Sequence, residues 1–303
     1  MNPNQPHISV CICTYKRPAY LKRLLQELAR QHTNALFTYS IVVAENDQLR
    51  SAEPVVLEFA ATVPIPIKYC VESRQGIARA RNEAVRNAEG DFVAFIDDDE
   101  FPTPDWLLNL SHTLRESTAD GVLGPVKPHF DPQTPQWVID AGLYDRPTHQ
   151  TGFILDWPMC RTGNVLLKRQ VLGSEDQPFR VECLQGEDQD FFKRMMEKGH
   201  SFIWCNEAVA YEIVPPARWN RSFLVRRALF RGVFSLRNHG FQPLRVLQSV
   251  VAAPAYLVAL PVALVLGQGR FMRYVFKLSY HLGRLLAVVG VNPINEPYVT
   301  SYK

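Results

Sequence analysis

The sequence predicts an α/β fold built on a doubly wound, mostly parallel sheet, followed by a basic helical C-terminal region. Three observations carry this. Strand-like and helix-like apolar patterns alternate from Ile8 to Ile96. One run, Phe92–Ile96, is continuously apolar, as in a strand buried on both faces. Charge divides the chain: residues 214–303 hold 12 Lys and Arg against one acid, Glu296, and residues 1–213 hold 21 against 29, so +11 and −8 make the net +3.

The elements follow in order. Ile8–Cys13 is a β-branched apolar run ending at Thr14. Leu21, Leu24, Leu25 and Leu28 then fall at helical spacing, with Pro18 placed for a first turn. Tyr39–Ala44 reads as a strand, Pro54–Ala61 as a short helix and Ile65–Val71 as a third strand. Ile77, Ala84, Val85 and Ala88 form one face of a helix stopped by Gly90. The βαβαβαβ order argues a doubly wound sheet, whose ligands bind beyond the carboxyl ends of its strands. Further on, Gly121–Val126 and Asn164–Leu167 read as strands. Asp188–Glu197 reads as a helix with Phe191, Phe192, Met195 and Met196 on its apolar side. A boundary is expected near Pro215-Pro216.

Composition excludes some classes. With 303 residues, 47% of them hydrophobic, the chain has ample material for a packed core and is not disordered. Its 16 Gly and 22 Pro show no period, against fibrous classes. The six cysteines form no CxxC pair, so they read as buried small hydrophobes in a reducing compartment. Met1–Ser9 is polar, with no secretory apolar core expected there.

Phe92–Ile96 runs straight into Asp97, Asp98, Asp99 and Glu100. Four carboxylates at the end of a buried strand repel one another and suit a hard divalent cation, Mg²⁺ or Mn²⁺, sharing a substrate diphosphate; the alternative is an acidic, solvated turn that also caps the next helix. Period-two geometry puts Asp97 and Asp99 on one side. Glu45 and Asp47 follow the second strand, suited to hydrogen-bonding a base or ribose, with helix or turn capping by Asn46 and Asp47 as the alternative. Glu187 and Asp188 open a helix, either as favourable dipole partners or with one as a general base. Arg74, Arg79 and Arg81 offer guanidinium forks for a diphosphate, or a solvated helix face.

Five segments, taken together and in this order, resemble glycosyltransferase family 2: Cys13–Pro18, Ile41–Asp47, Gly76–Asn82, Phe95–Glu100 followed by Asp105-Trp106-Leu107, and Gly186–Phe191. Val122–Val126, Arg161–Asn164 and Val214-Pro215 are similar to the bacterial succinoglycan glucosyltransferase group, over about Ile8 to Pro297. Rhamnosyltransferases of the lipopolysaccharide core are a similar group. The resemblance implies a GT-A fold and transfer of a sugar from a nucleotide-diphospho-sugar to a hydroxyl of a lipid-linked or cell-surface glycan, with inversion. It implies a catalytic domain over 1–213, donor half about 1–100 and acceptor half about 101–213. Thr14, Glu45 and Asp47 would line the nucleotide pocket, with Tyr15 and Arg17 of the opening loop also on the donor side. Arg81 would face the nucleotide or diphosphate. Asp97 and Asp98 would hold ribose and metal waters, Asp99 would bind the divalent cation, and Asp188 would be the base. Glu45 stands where the family usually has Asp. Tyr211 stands where many members have a metal-binding His, leaving the metal to Asp99 alone or with Glu212.

Two other classes compete. A nucleotidyltransferase acting on sugar phosphates also uses carboxylate-bound Mg²⁺, but it opens with a Gly-rich basic loop where this chain has Thr14-Tyr15-Lys16-Arg17-Pro18. A non-catalytic sugar-binding protein has no need for Asp99 and Asp188 together.

Val246–Leu266 is apolar except for Gln248 and Ser249, close to the length of a membrane span, but Pro254 and Pro261 interrupt it and Arg245 and Arg270 flank it. Phe271, Tyr274, Val275, Leu278, Leu282, Leu285 and Leu286 trace a second apolar face. Residues 214–303 are therefore expected to rest on, or dip shallowly into, an anionic membrane surface at the cytoplasmic face of the inner membrane. A helical cover on the catalytic domain and a true span are the alternatives. No nucleic-acid-binding module pattern appears.

Overall fold

The structure, a computed structural model, describes residues 5–173, 177–183, 186–237 and 243–291; the end of the expected likeness, at Pro297, lies outside them. The chain divides into two compact units, one of residues 1–127 and 146–212, the other of residues 128–145 and 213–303.

The first unit begins with β1 (His7–Thr14), α1 (Pro18–Leu28), β2 (Thr38–Glu45), α2 (Glu53–Ala60), β3 (Ile67–Val71), α3 (Ile77–Asn87) and β4 (Phe92–Ile96). Each lies within two residues of its expected bounds. Pro18 opens α1, and Leu21, Leu24, Leu25 and Leu28 are all buried, as the spacing predicts. After β4 come β5 (Glu100–Pro102), α4 (Trp106–Arg115) and β6 (Gly121–Leu123). The expected strand Gly121–Val126 is broken at Gly124-Pro125, and β7 (Val126–His129) joins a different sheet. At Gly124 a Cβ would stand 2.2 Å from the Ala208 carbonyl, so only glycine allows this redirection.

Beyond α5 (Gln136–Ala141) the first unit resumes with β8 (Asn164–Lys168), α6 (Arg169–Leu172), α7 (Glu187–Glu197), β9 (Phe202–Trp204) and β10 (Ala210–Ile213). The seven-stranded sheet has the order β3-β2-β1-β4-β8-β6-β9. β3, β2, β1 and β4 are parallel, and β8 runs antiparallel between β4 and β6. Side chains alternate between its faces: Val10 and Ile12 pack with α1, α2 and α4, while Cys11, Val93 and Phe95 pack with α3 and α7. β1 sits between β2 and β4, so the carboxyl ends of β1 and β4 meet at the topological switch point, where such sheets bind ligands. The second sheet has the order β5-β10-β7.

The second unit holds α5, α8 (Arg221–Arg237), α9 (Pro243–Val265) and α10 (Gln268–Val288). Val138, Tyr144, Val214, Leu224 and Met272 form its core. Arg273 donates to the carbonyls of Asp140 and Ala141, closing the C-terminus of α5. α8 and α10 cross at Gly232 and Gly283, where an added Cβ would meet the Tyr280 or Leu229 carbonyl at 2.1 Å. Segment 128–145, expected within the acceptor half, thus packs with residues beyond 213.

Candidate active site

Strand register assembles the site. Thr14, at the end of β1, pairs with Glu45 at the end of β2, which pairs with Val71 at the end of β3. On the other flank β1 pairs with β4, whose end delivers Asp97–Asp99 beside Thr14.

Asp97 and Asp99 do not share one side as period-two geometry predicts. The strand stops at Ile96, and Glu100 N–H bonds back to the Asp97 carbonyl at 3.0 Å, making a turn that fans the carboxylates apart. Asp98 accepts from Thr14 Oγ1 at 2.8 Å and from Arg17 at 3.0 Å. Burial pushes its pKa up, against the opposing pull of Arg17 and Thr14. Arg17 also reaches Asp99 at 3.3 Å. Asp97 turns the other way and lies 3.7 Å from Arg81, its side chain 46% exposed. Lys16, beside Arg17, holds a positive φ of 55°.

Glu45 is completely buried. It accepts from Ser51 Oγ at 2.8 Å, Ala52 N–H at 2.9 Å and Tyr69 OH at 2.5 Å. Its carboxylate therefore braces the turn into α2 and does not face an open pocket. Asp47 accepts from Leu49 N–H at 3.2 Å, the capping geometry that its position also allowed. Between them Asn46, missed as a site residue, donates to the Glu72 and Arg74 carbonyls and accepts from Gly76 N–H at 2.8 Å. Gly76, at φ 145°, then launches α3. Tyr15 OH accepts from Gln75, so the first loop is tied to the same segment.

The structure separates the arginines: Arg74 precedes α3, and Arg79 and Arg81 lie on it. Arg74 is exposed and bonded to Glu72. Arg81 is buried, paired with Glu187 at the start of α7, and reaches Asp97. Burial opposes its charge, but Glu187, Asp97 and Asp188 outweigh that and raise its pKa overall. Burial raises the pKa of Glu187, with Arg81 pulling it down. Asp188 Oδ1 accepts from Gln189 N–H at 2.8 Å. Arg81 thus joins the acidic strand end to the helix start that bears Asp188.

The floor of the site is a second feature that sequence reasoning missed. Asn164 accepts from Trp106 Nε1 at 2.7 Å and donates to the Pro125 and Ala208 carbonyls at 3.0 and 2.8 Å. Next to it, a Cβ at Gly163 would stand 2.8 Å from Glu100 Oε1 and 3.1 Å from Asp97 Oδ2. Burial, then the Asp97 charge, pushes the Glu100 carboxyl well above the usual range. Glu212 lies opposite Glu100 across β5 and β10 and pairs with Arg146, which arrives from a loop with no periodic signal. Tyr211 stacks on Phe101 at 5.4 Å.

The donor set fits a hard divalent cation only in part-ligated form. Carboxylate oxygens of Asp97 and Glu100 lie beside Gly163, and the buried Thr162 hydroxyl has no hydrogen-bond partner among the described residues. Among the described residues no three His, Cys, Asp or Glu side chains form a complete metal cluster. A cation there needs oxygens from elsewhere, as Mg²⁺ and Mn²⁺ take from water and diphosphate.

The family model for Glycosyl transferase family 2 matches residues 9–173, more than half of the chain. The chain is 29% identical to the succinoglycan biosynthesis protein ExoM of Rhizobium meliloti, over 97% of each. It is 24% identical to the hyaluronan synthase of Pasteurella multocida, over 73% of this chain but only 26% of that one. Among solved structures, the mannosyltransferase PcManGT of Pyrobaculum calidifontis, in complex with GDP-Man and Mn²⁺, superposes with a TM-score of 0.63 at 19% identity, covering 93% of this chain and 88% of that one. TarS of S. aureus, in complex with UDP, gives 0.54 at 17% identity, covering 95% and 93%. These likenesses agree with the GT-A architecture seen here, and the chain belongs to glycosyl transferase family 2 and is a glycosyltransferase.

Proposed function

We propose that the protein transfers a sugar, with inversion, from a nucleotide-diphospho-sugar to a hydroxyl of a lipid-linked glycan in exopolysaccharide synthesis. The observation that carries this reading is the buried Arg81, held between Glu187 at the start of α7 and Asp97 at the end of β4. It brings the helix start bearing Asp188 to the acidic strand end at the switch point. The exopolysaccharide role is supported by the likeness to ExoM over 97% of each chain.

Asp188 is the base. It takes the acceptor hydroxyl proton as that oxygen attacks the anomeric carbon; the bond from that carbon to the diphosphate oxygen breaks, and the electron pair leaves with the diphosphate. A base so positioned contributes on the order of 10²–10⁴-fold. Asp99 would hold Mn²⁺ or Mg²⁺, with Asp97 and Asp98 on the side of its waters and the ribose, and the ion would supply Lewis-acid stabilisation to the departing charge. Thr14 and Arg17 fix Asp98, and Tyr15, Asn46 and Asp47 shape the nucleotide side. Glu45 supports that side from behind. Arg81 orients Glu187 and Asp97.

The basic second unit holds the enzyme on the anionic cytoplasmic face of the inner membrane, near a lipid-linked acceptor. Residues 214–303 carry +11, and α9 leaves most of its apolar surface exposed.

The test is a panel of nucleotide sugars with Mn²⁺ or Mg²⁺, following release of nucleoside diphosphate. One donor should turn over, chelator should abolish turnover, and Asp188→Asn should keep donor binding while losing at least about a hundredfold in kcat. Near-full transfer by Asp188→Asn would reject the base assignment; undiminished activity in chelator would reject the metal.

A further inference from the structure

We infer that α9 lies flat in the membrane interface, its Leu/Val face sunk into one leaflet and α10 riding above it as a cationic strut. The inference rests on membrane association and adds an orientation to it.

The two helices form an antiparallel hairpin turning at Gly267. Arg284 donates to the Arg245 carbonyl at 3.0 Å, His281 meets Ser249 at 3.0 Å, and the Tyr274 ring lies 5.5 Å from that of Tyr256. α9 turns small residues, Ser249, Ala253 and Ala263, inward. Its opposite side is open: Leu244 is 80% exposed, Val258 78% and Val265 87%. With Leu247, Val251 and Val262 also exposed, that face is apolar from end to end.

Length alone permits a span, since 23 residues reach about 34 Å. The partner helix forbids it. Lys277 Nζ lies 5.6 Å from the Tyr256 ring centre, and Tyr256 is close to the middle of α9. Were α9 upright in a bilayer, that ammonium would stand near the midplane, a placement disfavoured on the order of a hundredfold. Arg273 and His281 on α10 would enter the hydrocarbon with it. Laid flat, the hairpin puts every cation of α10 at headgroup height and the Leu/Val face about 5–10 Å deep. Arg245 and Arg270, exposed near the two ends of α9, match anionic headgroups. A lipid leaflet is therefore the occupant this face fits.

The test uses the full chain with vesicles of phosphatidylcholine and phosphatidylglycerol in equal parts, the phosphatidylcholine brominated near either the carbonyl or the methyl end of its acyl chains. Leu247→Trp, Val258→Trp and Val265→Trp each add one fluorophore, read as a difference from the parent protein. A flat helix gives equal quenching at all three, strongest with shallow bromines, and Leu247→Asp/Val258→Asp lowers vesicle partitioning about tenfold or more. Deepest quenching at 258 with shallow ends would establish a span and overturn the inference. Sedimentation with vesicles but no quenching would mean that another surface attaches. No sedimentation, with a dimer in solution that the double Asp variant dissolves, would assign the face to a second copy. Thermal midpoints of all variants exclude misfolding as the cause. Donor turnover in detergent tests the catalytic reading separately, because it needs no leaflet.

Discussion

Replacing Glu187 by Met should expose how much the Arg81 pair contributes. Both side chains are more than nine-tenths buried, so Glu187→Met strands a guanidinium with only Asp97, 3.7 Å away and half exposed, and Asp188 to answer it. Removing one partner of such a pair costs about 3–5 kcal/mol, and the remaining carboxylates move the expectation to about 3. In a unit of roughly 200 residues that lowers the thermal midpoint by about 6–12 °C. Arg81→Met/Glu187→Met removes both charges and should recover stability to within about 1 kcal/mol of the parent, because apolar replacement of a buried pair is often neutral. The double variant should therefore be about 2 kcal/mol more stable than Glu187→Met alone. Sugar transfer should stay low in both variants, since neither keeps Asp97 and α7 tied. Denaturant unfolding with unchanged m, beside initial rates, measures both. A single-variant cost below about 1 kcal/mol with parental activity would refute a buried, bridging Arg81.

Four further outcomes follow from the same geometry. Asn164→Ala leaves the Trp106 indole N–H and the Ala208 carbonyl without their Asn164 partner, each costing about 1–3 kcal/mol, so chemical denaturation should show a loss of about 2 kcal/mol or more. Gly283→Ala drives a methyl towards the Leu229 carbonyl and should destabilise the second unit by at least about 1–3 kcal/mol, seen as faster hydrogen exchange in α8 and α10. Asp99→Ala should weaken Mn²⁺ activation at least about tenfold by titration while leaving the thermal midpoint within a few degrees. Hydrogen bonds from Arg74 hold the Glu72 carboxyl below its usual pKa, so its contribution is present above the unfolded value of about 4.3 and disappears as pH falls through the folded value. Thermal midpoints should accordingly decline on acidification below about pH 4.5, and Glu72→Gln should flatten that limb.

The first half of the sheet was legible because local periodicity and burial agree there. Phe92–Ile96 is apolar at every position and is a central strand with both faces covered. Some later strands were harder to read, because β5 and β9 span three residues each, too few for a period to register. The acidic strand end was visible as chemistry, but not the turn that splays its carboxylates, because one backbone bond from Glu100 decides it. Glu45 read as ligand-facing since its type and place suited a base; its extra methylene instead carries the carboxylate to Ser51 and Ala52. Asn164, Gly163 and Arg146 act through partners between 39 and 66 positions away, a separation no local pattern records.

Residues 128–145 pack with chain that follows residue 213, although they are synthesised well before it. On the ribosome, Val138 and Tyr144 must wait for Leu224 and Met272 to emerge, at least 80 residues later. The first unit, meanwhile, can close only around this unfinished insert. Truncation after residue 213 would therefore leave an uncovered apolar arm and promote aggregation, whereas a soluble catalytic fragment requires excising 128–145 as well and bridging Lys127 to Arg146.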